Sequence, residues 1–173
     1  MRRRALLVRW VFGLLFLPGL VWGQTLWQPM GQSTAKWLGW IDLYDARLWV
    51  GPQTIAQTLL SDPTPVKLEL CYHRELTPAD FIRAAESGLP KHLPPEQRLA
   101  VERLHAAYQT VNAGDCYELI HQPEAGLQLR LNGRTVFHDR TPGFKATYLS
   151  LWLGDNALST DVKAELLAPL DGS

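Results

Sequence analysis

Aromatic side chains are the residues of this 173-residue sequence best suited to binding a small molecule. Pockets for small molecules are mostly apolar and aromatic, with a few polar groups that orient the ligand. Packing in an ordinary hydrophobic core is the alternative interpretation of each such residue. The aromatic candidates are Trp37, Trp40, Tyr44, Trp49, Tyr72 and Trp152.

Sequence motifs of catalytic and metal sites are absent. The five histidines occur without an H-E-x-x-H or a paired C-x-x-C motif, and structural or surface roles are the better interpretation. No G-x-S-x-G elbow and no glycine-rich phosphate loop occurs. Asp45 and Arg47 fit a structural ion pair on one strand face, and Asp115 fits a turn. We therefore predict no catalytic residue, no metal site and no cofactor.

Cys71 and Cys116 are the only two cysteines. Both lie in predicted strands, so they can face one another, and two cysteines can pair in an oxidising compartment. The sequence does not show whether their Cα atoms lie within bridging range. A disulfide and two separate buried thiols both remain open.

The strands that carry most aromatic candidates come early in the chain. Residues 36–50 are dense in aromatic and branched side chains, and Gly39 is predicted to mark the turn between two strands. Residues 24–35 are predicted to be irregular, and residues 51–65 a loop. Residues 66–74 form the clearest strand. One face of that strand is apolar and consists of Val66, Leu68, Leu70 and Tyr72.

Helices are predicted in two pairs around a meander of strands. Thr77 caps a helix that runs to about Ser87, and an apolar stripe predicts a second helix over 97–111. Asn132-Gly133 is a strong hairpin signal inside the meander. The meander strands are residues 115–121, 127–132 and 134–138, and the last two helices are residues 145–153 and 159–167, the latter ended by Pro169. This order predicts an α+β fold, an antiparallel sheet with helices on one face.

The first 23 residues predict export. Arg2, Arg3 and Arg4 precede an apolar run that ends at a small-residue cleavage site after Gly23. We therefore divide the chain into a signal peptide, residues 1–23, and one domain, residues 24–173, located in the periplasm. An uncleaved membrane anchor is the alternative, but the run is interrupted by Arg9, Pro18 and Gly19.

Charge excludes two classes of partner for the exported domain. Four of the 17 basic residues lie in the first 23, which leaves 13 basic against 17 acidic residues and a net charge of about −4. A mildly acidic domain has no electrostatic case for binding nucleic acid or an anionic membrane surface. No stable membrane span is predicted after cleavage.

Four segments occur in order along the chain: LYDARLWV (43–50), LELCYHREL (68–76), VNAGDCYELIHQPEAGLQLRLNG (111–133) and LSLWLGDNALS (149–159). They resemble the chalcone isomerase-like proteins, in their exported bacterial branch, and the match covers most of residues 30–168. The resemblance implies an open-faced β-sandwich, in which a helical layer covers a large antiparallel sheet. The family includes true isomerases and non-catalytic relatives that bind fatty acids or assist partners.

The resemblance does not extend to the isomerase reaction. That reaction needs hydrogen-bond donors at fixed positions, to polarise a ketone and hold a phenolate. The plant enzymes supply them with an arginine, threonines, a tyrosine and an asparagine. The corresponding positions here hold Gln32, Tyr44, Asp80 or Phe81, Ser87 and Leu151, so the reacting set is not matched. The fold carries over and the activity does not.

The non-catalytic relatives clamp a carboxylate with an arginine and a tyrosine. Arg47 and Tyr44 are three residues apart on one strand, which places them on opposite faces unless a bulge intervenes. Lys36 with Tyr44 is the alternative clamp. The ligand-binding candidates are Lys36, Tyr44, Arg47, Trp49, Tyr72 and Trp152.

Three functions remain in order of preference. We expect an exported binding protein that holds a small apolar acid, such as a fatty acid, between sheet and helices without turnover. The first alternative is a structural or partner-binding envelope protein without a ligand, whose partner the sequence does not identify. The second is an isomerase with a rearranged active site.

Overall fold

A computed structural model describes residues 27–171. The predicted signal peptide, residues 1–23, lies outside the described residues. Six antiparallel strands form one sheet in chain order: β1 Gln28–Trp37, β2 Ile41–Val50, β3 Val66–Tyr72, β4 Cys116–Gln122, β5 Gly126–Leu131 and β6 Arg134–Asp139. The helices are α1 Pro78–Gly88, α2 Pro95–Ala107, α3 Phe144–Leu153 and α4 Thr160–Asp171. This is the predicted α+β architecture.

The two faces of the sheet differ in chemistry. Every second residue of β3 from Val66 to Tyr72 is buried, and those residues pack under the helices. The opposite face carries a row of charged residues across neighbouring strands. In this row Arg47 of β2 lies opposite Glu69 of β3, and Glu69 lies opposite Glu118 of β4. One apolar face and one solvated face are typical of an open-faced sheet. Any buried ligand site must therefore lie on the helical side.

Strand β1 begins earlier than the sequence predicts. Residues 28–35 belong to this strand although a proline and a glycine occur among them. A register shift between Pro29 and Gln32 accommodates them, and β1 is an edge strand, where such irregularities are tolerated. Helix α4 packs beside Gly31, because a Cβ there would lie 2.1 Å from the Glu165 carbonyl oxygen. Close helix approach explains why a glycine occupies this position.

The helix boundaries follow local capping with two exceptions. At the start of α1 the backbone N–H of Thr77 donates to the Asp80 carboxylate at 2.9 Å, as expected for a capping box. Helix α2 ends at Ala107, four residues before the predicted end, because the chain becomes extended at Tyr108. Helix α4 includes Pro169 and continues beyond it, whereas the sequence predicts that the proline ends the helix.

Cys71 and Cys116 form a disulfide in this structure, with their Cα atoms 4.1 Å apart. The two residues lie directly opposite each other on β3 and β4. Their neighbours Tyr72 and Tyr117 are buried on the helical side. Successive residues of a strand point to opposite faces, so the disulfide lies on the solvated face of the sheet. It joins the two strands that carry the central tyrosines.

The described residues contain no helix that is both long enough and apolar enough to cross a bilayer.

Candidate functional site

A cavity of about 630 Å³ lies between the apolar face of the sheet and the helices. Its floor is formed by strand residues, including Leu70, Leu119 and Leu129. Its roof comes from α1, which presents the small side chains of Ala84 and Ala85 to the space. Small residues on a covering helix leave volume that larger ones would fill, so the local sequence of α1 helps to create the cavity.

Phe81 fixes the height of α1 above the sheet. Its ring stacks on Tyr108 with centroids 4.8 Å apart. It also meets Tyr72 and Tyr117 edge to face, at 5.4 and 5.5 Å. Such aromatic pairs are favourable beyond the area that they bury. Phe81 therefore supports α1 at the wall of the cavity and does not fill the cavity.

Two phenol groups face the cavity with a proton to donate. The Tyr44 hydroxyl accepts a hydrogen bond from Trp152 Nε1 at 3.1 Å, which leaves its own hydrogen free. The Tyr72 side chain is 5% exposed, and its hydroxyl has no hydrogen-bond partner among the described residues. The two rings lie 5.8 Å apart. A ligand oxygen near both would satisfy these donors.

The other cavity tyrosines are already satisfied. Tyr108 shares a hydrogen bond of 2.7 Å with Tyr148. The Tyr117 hydroxyl accepts from the Gln109 backbone N–H at 2.8 Å and donates to the Gln109 carbonyl at 3.2 Å. The Tyr108 and Tyr117 hydroxyls are thus bonded within the protein, whereas no described residue accepts a hydrogen bond from the Tyr44 or Tyr72 hydroxyl.

Burial keeps the cavity phenols neutral. Desolvation raises the pKa of Tyr44 above its ordinary value, although the Trp152 hydrogen bond partly opposes this shift. Desolvation also raises the pKa of Tyr72 well above that value, and the nearby Tyr108 adds to the effect. A phenol with a raised pKa donates a hydrogen bond but does not act as a base near neutral pH. The pair is suited to holding an anion or a carbonyl group.

The mouth of the cavity carries both signs of charge. Arg74 and Arg83 line it together with Glu75 and Asp80. Arg83 pairs with Asp80 at 3.5 Å. Arg74 lies 5.9 Å from the centre of the Trp37 ring and forms no ion pair with any described carboxylate. Among the described cavity residues, Arg74 is therefore the cation available to a ligand.

Three of the six predicted ligand-binding residues line the cavity, namely Tyr44, Tyr72 and Trp152. The others lie elsewhere. Lys36 bonds to Asp42 at 2.6 Å on the exposed side of the first hairpin. Arg47 lies on the solvated face beside Glu69, at 3.4 Å, and Trp49 lies on the same face under the Lys67 ammonium, 3.8 Å from its ring centre. Both suggested clamps, Arg47 with Tyr44 and Lys36 with Tyr44, are therefore wrong, because only Tyr44 lines the cavity.

The sequence did not mark Arg74 as a site residue, and it marked Phe81 only as one of two positions aligned with the tyrosine of the plant enzymes. A signal for Arg74 was present, because it follows Tyr72 by two residues and so continues the inward-facing alternation of β3. No local signal marks Phe81, since its contacts come from three separate elements of the chain.

A second, smaller depression of about 350 Å³ is polar and lies against Asp45, Arg47 and Glu165. Asp45 accepts a hydrogen bond from the Thr34 hydroxyl at 2.7 Å, and the ring of His73 lies 3.2 Å away. These groups satisfy one another. The described residues contain no cluster of three or more histidine, cysteine or acidic side chains that could hold a metal ion.

Comparison with known proteins assigns the family. A family model described as chalcone isomerase-like matches residues 33–168. No curated protein matches the chain. Among solved structures, a fatty-acid binding protein from Arabidopsis thaliana superposes with a TM-score of 0.66 and is 12% identical in sequence, covering 83% of this chain and 88% of its own. At that identity the superposition shows a shared fold. The predicted family is confirmed, and the chain belongs to the chalcone isomerase-like family.

Proposed function

We propose that this protein binds a small apolar carboxylic acid, such as a fatty acid, in the cavity and does not transform it. The observation that carries the proposal is the Tyr72 hydroxyl, which lines a mostly apolar cavity and bonds to no described residue. A ligand oxygen inside this space can accept its hydrogen bond, as the few polar groups of a small-molecule site commonly require. The cavity volume of about 630 Å³ falls within the usual range for small-molecule sites.

Charge orients the ligand. Arg74 is the available cation at the mouth, and Tyr72 lies two residues earlier on the same wall. A carboxylate held between them keeps its charge close to solvent. The alkyl tail then extends over Leu70, Leu119 and Leu129, where apolar contact is favourable. The fatty-acid binding protein of the same fold supports this class of ligand.

The cavity residues support binding rather than catalysis. The residues aligned with the isomerase reacting set do not match it, and the cavity phenols are held in the neutral form. No histidine is among the described residues that line the cavity, and its carboxylates, Glu75 and Asp80, belong to the mouth. Conversion of a chalcone by the purified protein, abolished by Tyr44→Phe, would instead establish the isomerase alternative.

The first test is native mass spectrometry of the protein purified from cells, followed by denaturing extraction of any bound molecule. We expect an adduct that extracts as a fatty acid or a similar apolar acid. A clean mass that stays unchanged after incubation with a panel of fatty acids would overturn the proposal and favour a partner-binding role.

Substitutions then test the anchors by displacement of a fluorescent fatty acid. We expect Tyr72→Phe and Arg74→Gln each to weaken binding roughly tenfold, because each removes one hydrogen bond to a charged group. Arg47→Gln is the matched control, since Arg47 is an exposed arginine on the opposite face. The fatty alcohol of equal length should bind more weakly than the acid. Equal effects at Arg47 and Arg74 would refute the proposed orientation.

We also propose that the domain acts in the periplasm after export by its N-terminal segment. Support comes from the basic and apolar pattern of residues 1–23 and from the Cys71–Cys116 disulfide, since disulfides persist in oxidising compartments. Cell fractionation with the intact and truncated N-terminus tests this location. Recovery of the intact chain in the cytoplasm would contradict it.

A further inference from the structure

The tip of the first hairpin is the most exposed apolar segment among the described residues. It consists of the turn Trp37-Leu38-Gly39-Trp40, which joins β1 to β2. Trp37 is 53% exposed, Leu38 67% and Trp40 74%. Single exposed apolar residues are common, but three within four residues form a patch that points to an interaction.

The backbone of this tip makes the apolar choice unusual. Leu38 has a φ of +53°, in the left-handed region that β-carbon sterics disfavour for most residues. Asparagine or glycine is the usual occupant of such a position. Leu38 gains little from burial to offset this cost, since its side chain faces solvent. No contact within the described residues offsets the cost of a leucine at this position.

The tip also borders the ligand cavity. Trp37 lines the cavity from the hairpin side, and its ring lies beside Arg74. Leu158, in the loop between α3 and α4, lines the cavity as well and is 41% exposed. Apolar side chains therefore project from the rim of the same opening through which a ligand must enter. A surface that meets the tip also meets the mouth.

The chemistry of the tip fits a lipid bilayer better than a protein surface. Tryptophan prefers the bilayer interface, where its ring is buried and its N–H stays hydrated. A stable protein interface buries about 800 Å² on each partner, more than three side chains on a narrow turn supply. Nearby charges are balanced, because Lys36 pairs with Asp42 and the mouth carries two cations and two anions. Apolar insertion rather than charge would then provide the contact.

We propose that the hairpin tip docks the protein on a lipid bilayer with the cavity mouth facing the surface. The apolar acid then passes between bilayer and cavity without crossing bulk water. This inference rests on the proposed function for the identity of the cargo, while the docking itself can be measured without a ligand.

The test compares the wild-type protein with the double variant Leu38→Asn/Trp40→Gln, and both proteins are purified in the same way. Neither substituted residue lines the cavity, so affinity for a fluorescent fatty acid should stay unchanged. The control is Leu99→Gln, because Leu99 is a similarly exposed leucine on α2, away from the mouth. Each protein is floated with phosphatidylcholine vesicles, and transfer of the bound fatty acid to the vesicles is timed.

We expect the wild type and the control to float with the vesicles and to transfer the fatty acid at a rate that rises with vesicle concentration. For the double variant, we expect the fraction that floats and the rate of transfer each to fall at least tenfold. High salt should change neither quantity much for the wild type. Equal flotation of wild type and double variant would overturn the proposal. If no protein binds the fatty acid, the proposed function fails, and flotation alone still decides whether the tip docks.

Discussion

Two hairpin turns of this protein each have two consecutive residues at positive φ, and the two turns differ in chemistry. In the first, Leu38 and Gly39 have φ values of +53° and +76°. In the second, between β5 and β6, Asn132 and Gly133 have φ values of +51° and +79°. Positive φ at both central residues is what type I′ turns require, and Asn-Gly is the sequence that best supplies it.

The asparagine turn is tied into the structure, whereas the leucine turn is not. The Asn132 side-chain amide donates to the Asp115 carboxylate at 2.8 Å, and its oxygen accepts from the Cys116 backbone N–H at 2.9 Å. The Leu38 side chain faces solvent. Positive φ therefore accompanies a stabilising turn near the β6 edge of the sheet and, in our proposal, a surface contact near the β1 edge.

The largest effect is expected from placing leucine in the second turn. Asn132→Leu removes the bonds to Asp115 and Cys116 and forces a leucine into the left-handed region. We expect the free energy of unfolding to fall by about 2–4 kcal/mol, measured by urea denaturation. A loss below about 1 kcal/mol would mean that the Asn132 bonds contribute little.

The two turn glycines provide a test of the positive φ values that the turns have in common. A β-carbon at Gly39 or Gly133 would meet no heavy atom within 4 Å, so only the positive φ opposes it. We expect Gly39→Ala and Gly133→Ala each to lower the free energy of unfolding by about 1–2 kcal/mol, and by similar amounts. A large difference between the two losses would show that positive φ does not constrain the two turns equally.

The reverse exchange should stabilise the first turn. Leu38→Asn places a residue that tolerates positive φ in a position where leucine gains little from burial. We expect the free energy of unfolding to rise by about 1 kcal/mol, seen as a higher urea midpoint with an unchanged slope. A loss of stability would show that Leu38 packs in solution and would weaken the docking proposal.

Acid should reduce the stability that Asn132 contributes to the second turn. The pKa of Asp115 is lowered first by the Asn112 backbone N–H and then by the Asn132 side chain. Its contribution is therefore present above the ordinary value of 3.8 and is lost as the pH falls through the lower folded-state pKa. The destabilisation by Asn132→Leu should shrink in that window, while the gain from Leu38→Asn should not change. A penalty independent of pH would contradict the role of the Asp115 charge.

Local patterns predicted the parts of the fold that depend on local chemistry. The alternation in β3, the cap at Thr77 and the Asn132-Gly133 turn follow from neighbouring residues, and each is observed. The beginning of β1 was missed, because its strand conformation depends on pairing with β2 along an edge.

The candidate site was predictable only in part. Tyr44, Tyr72 and Trp152 line the cavity, as predicted. The alternation of strand residues could not show that Phe81 of α1 packs on Tyr72 beside an open space. Lys36 does not line the cavity and bonds to Asp42 instead. A register shift follows Ala35, the partner of Tyr44 across β1 and β2, and sequence alternation does not reveal such a shift.

The Cys71–Cys116 disulfide makes part of the cavity wall a closed covalent ring. The two cysteines are 45 residues apart in sequence, and the segment between them contains α1, α2, Arg74 and Phe81. Both ends of this segment are thus joined covalently on the solvated face of the sheet, where β3 and β4 lie side by side. The helix that roofs the cavity therefore belongs to a loop anchored at both ends to the strands beneath it.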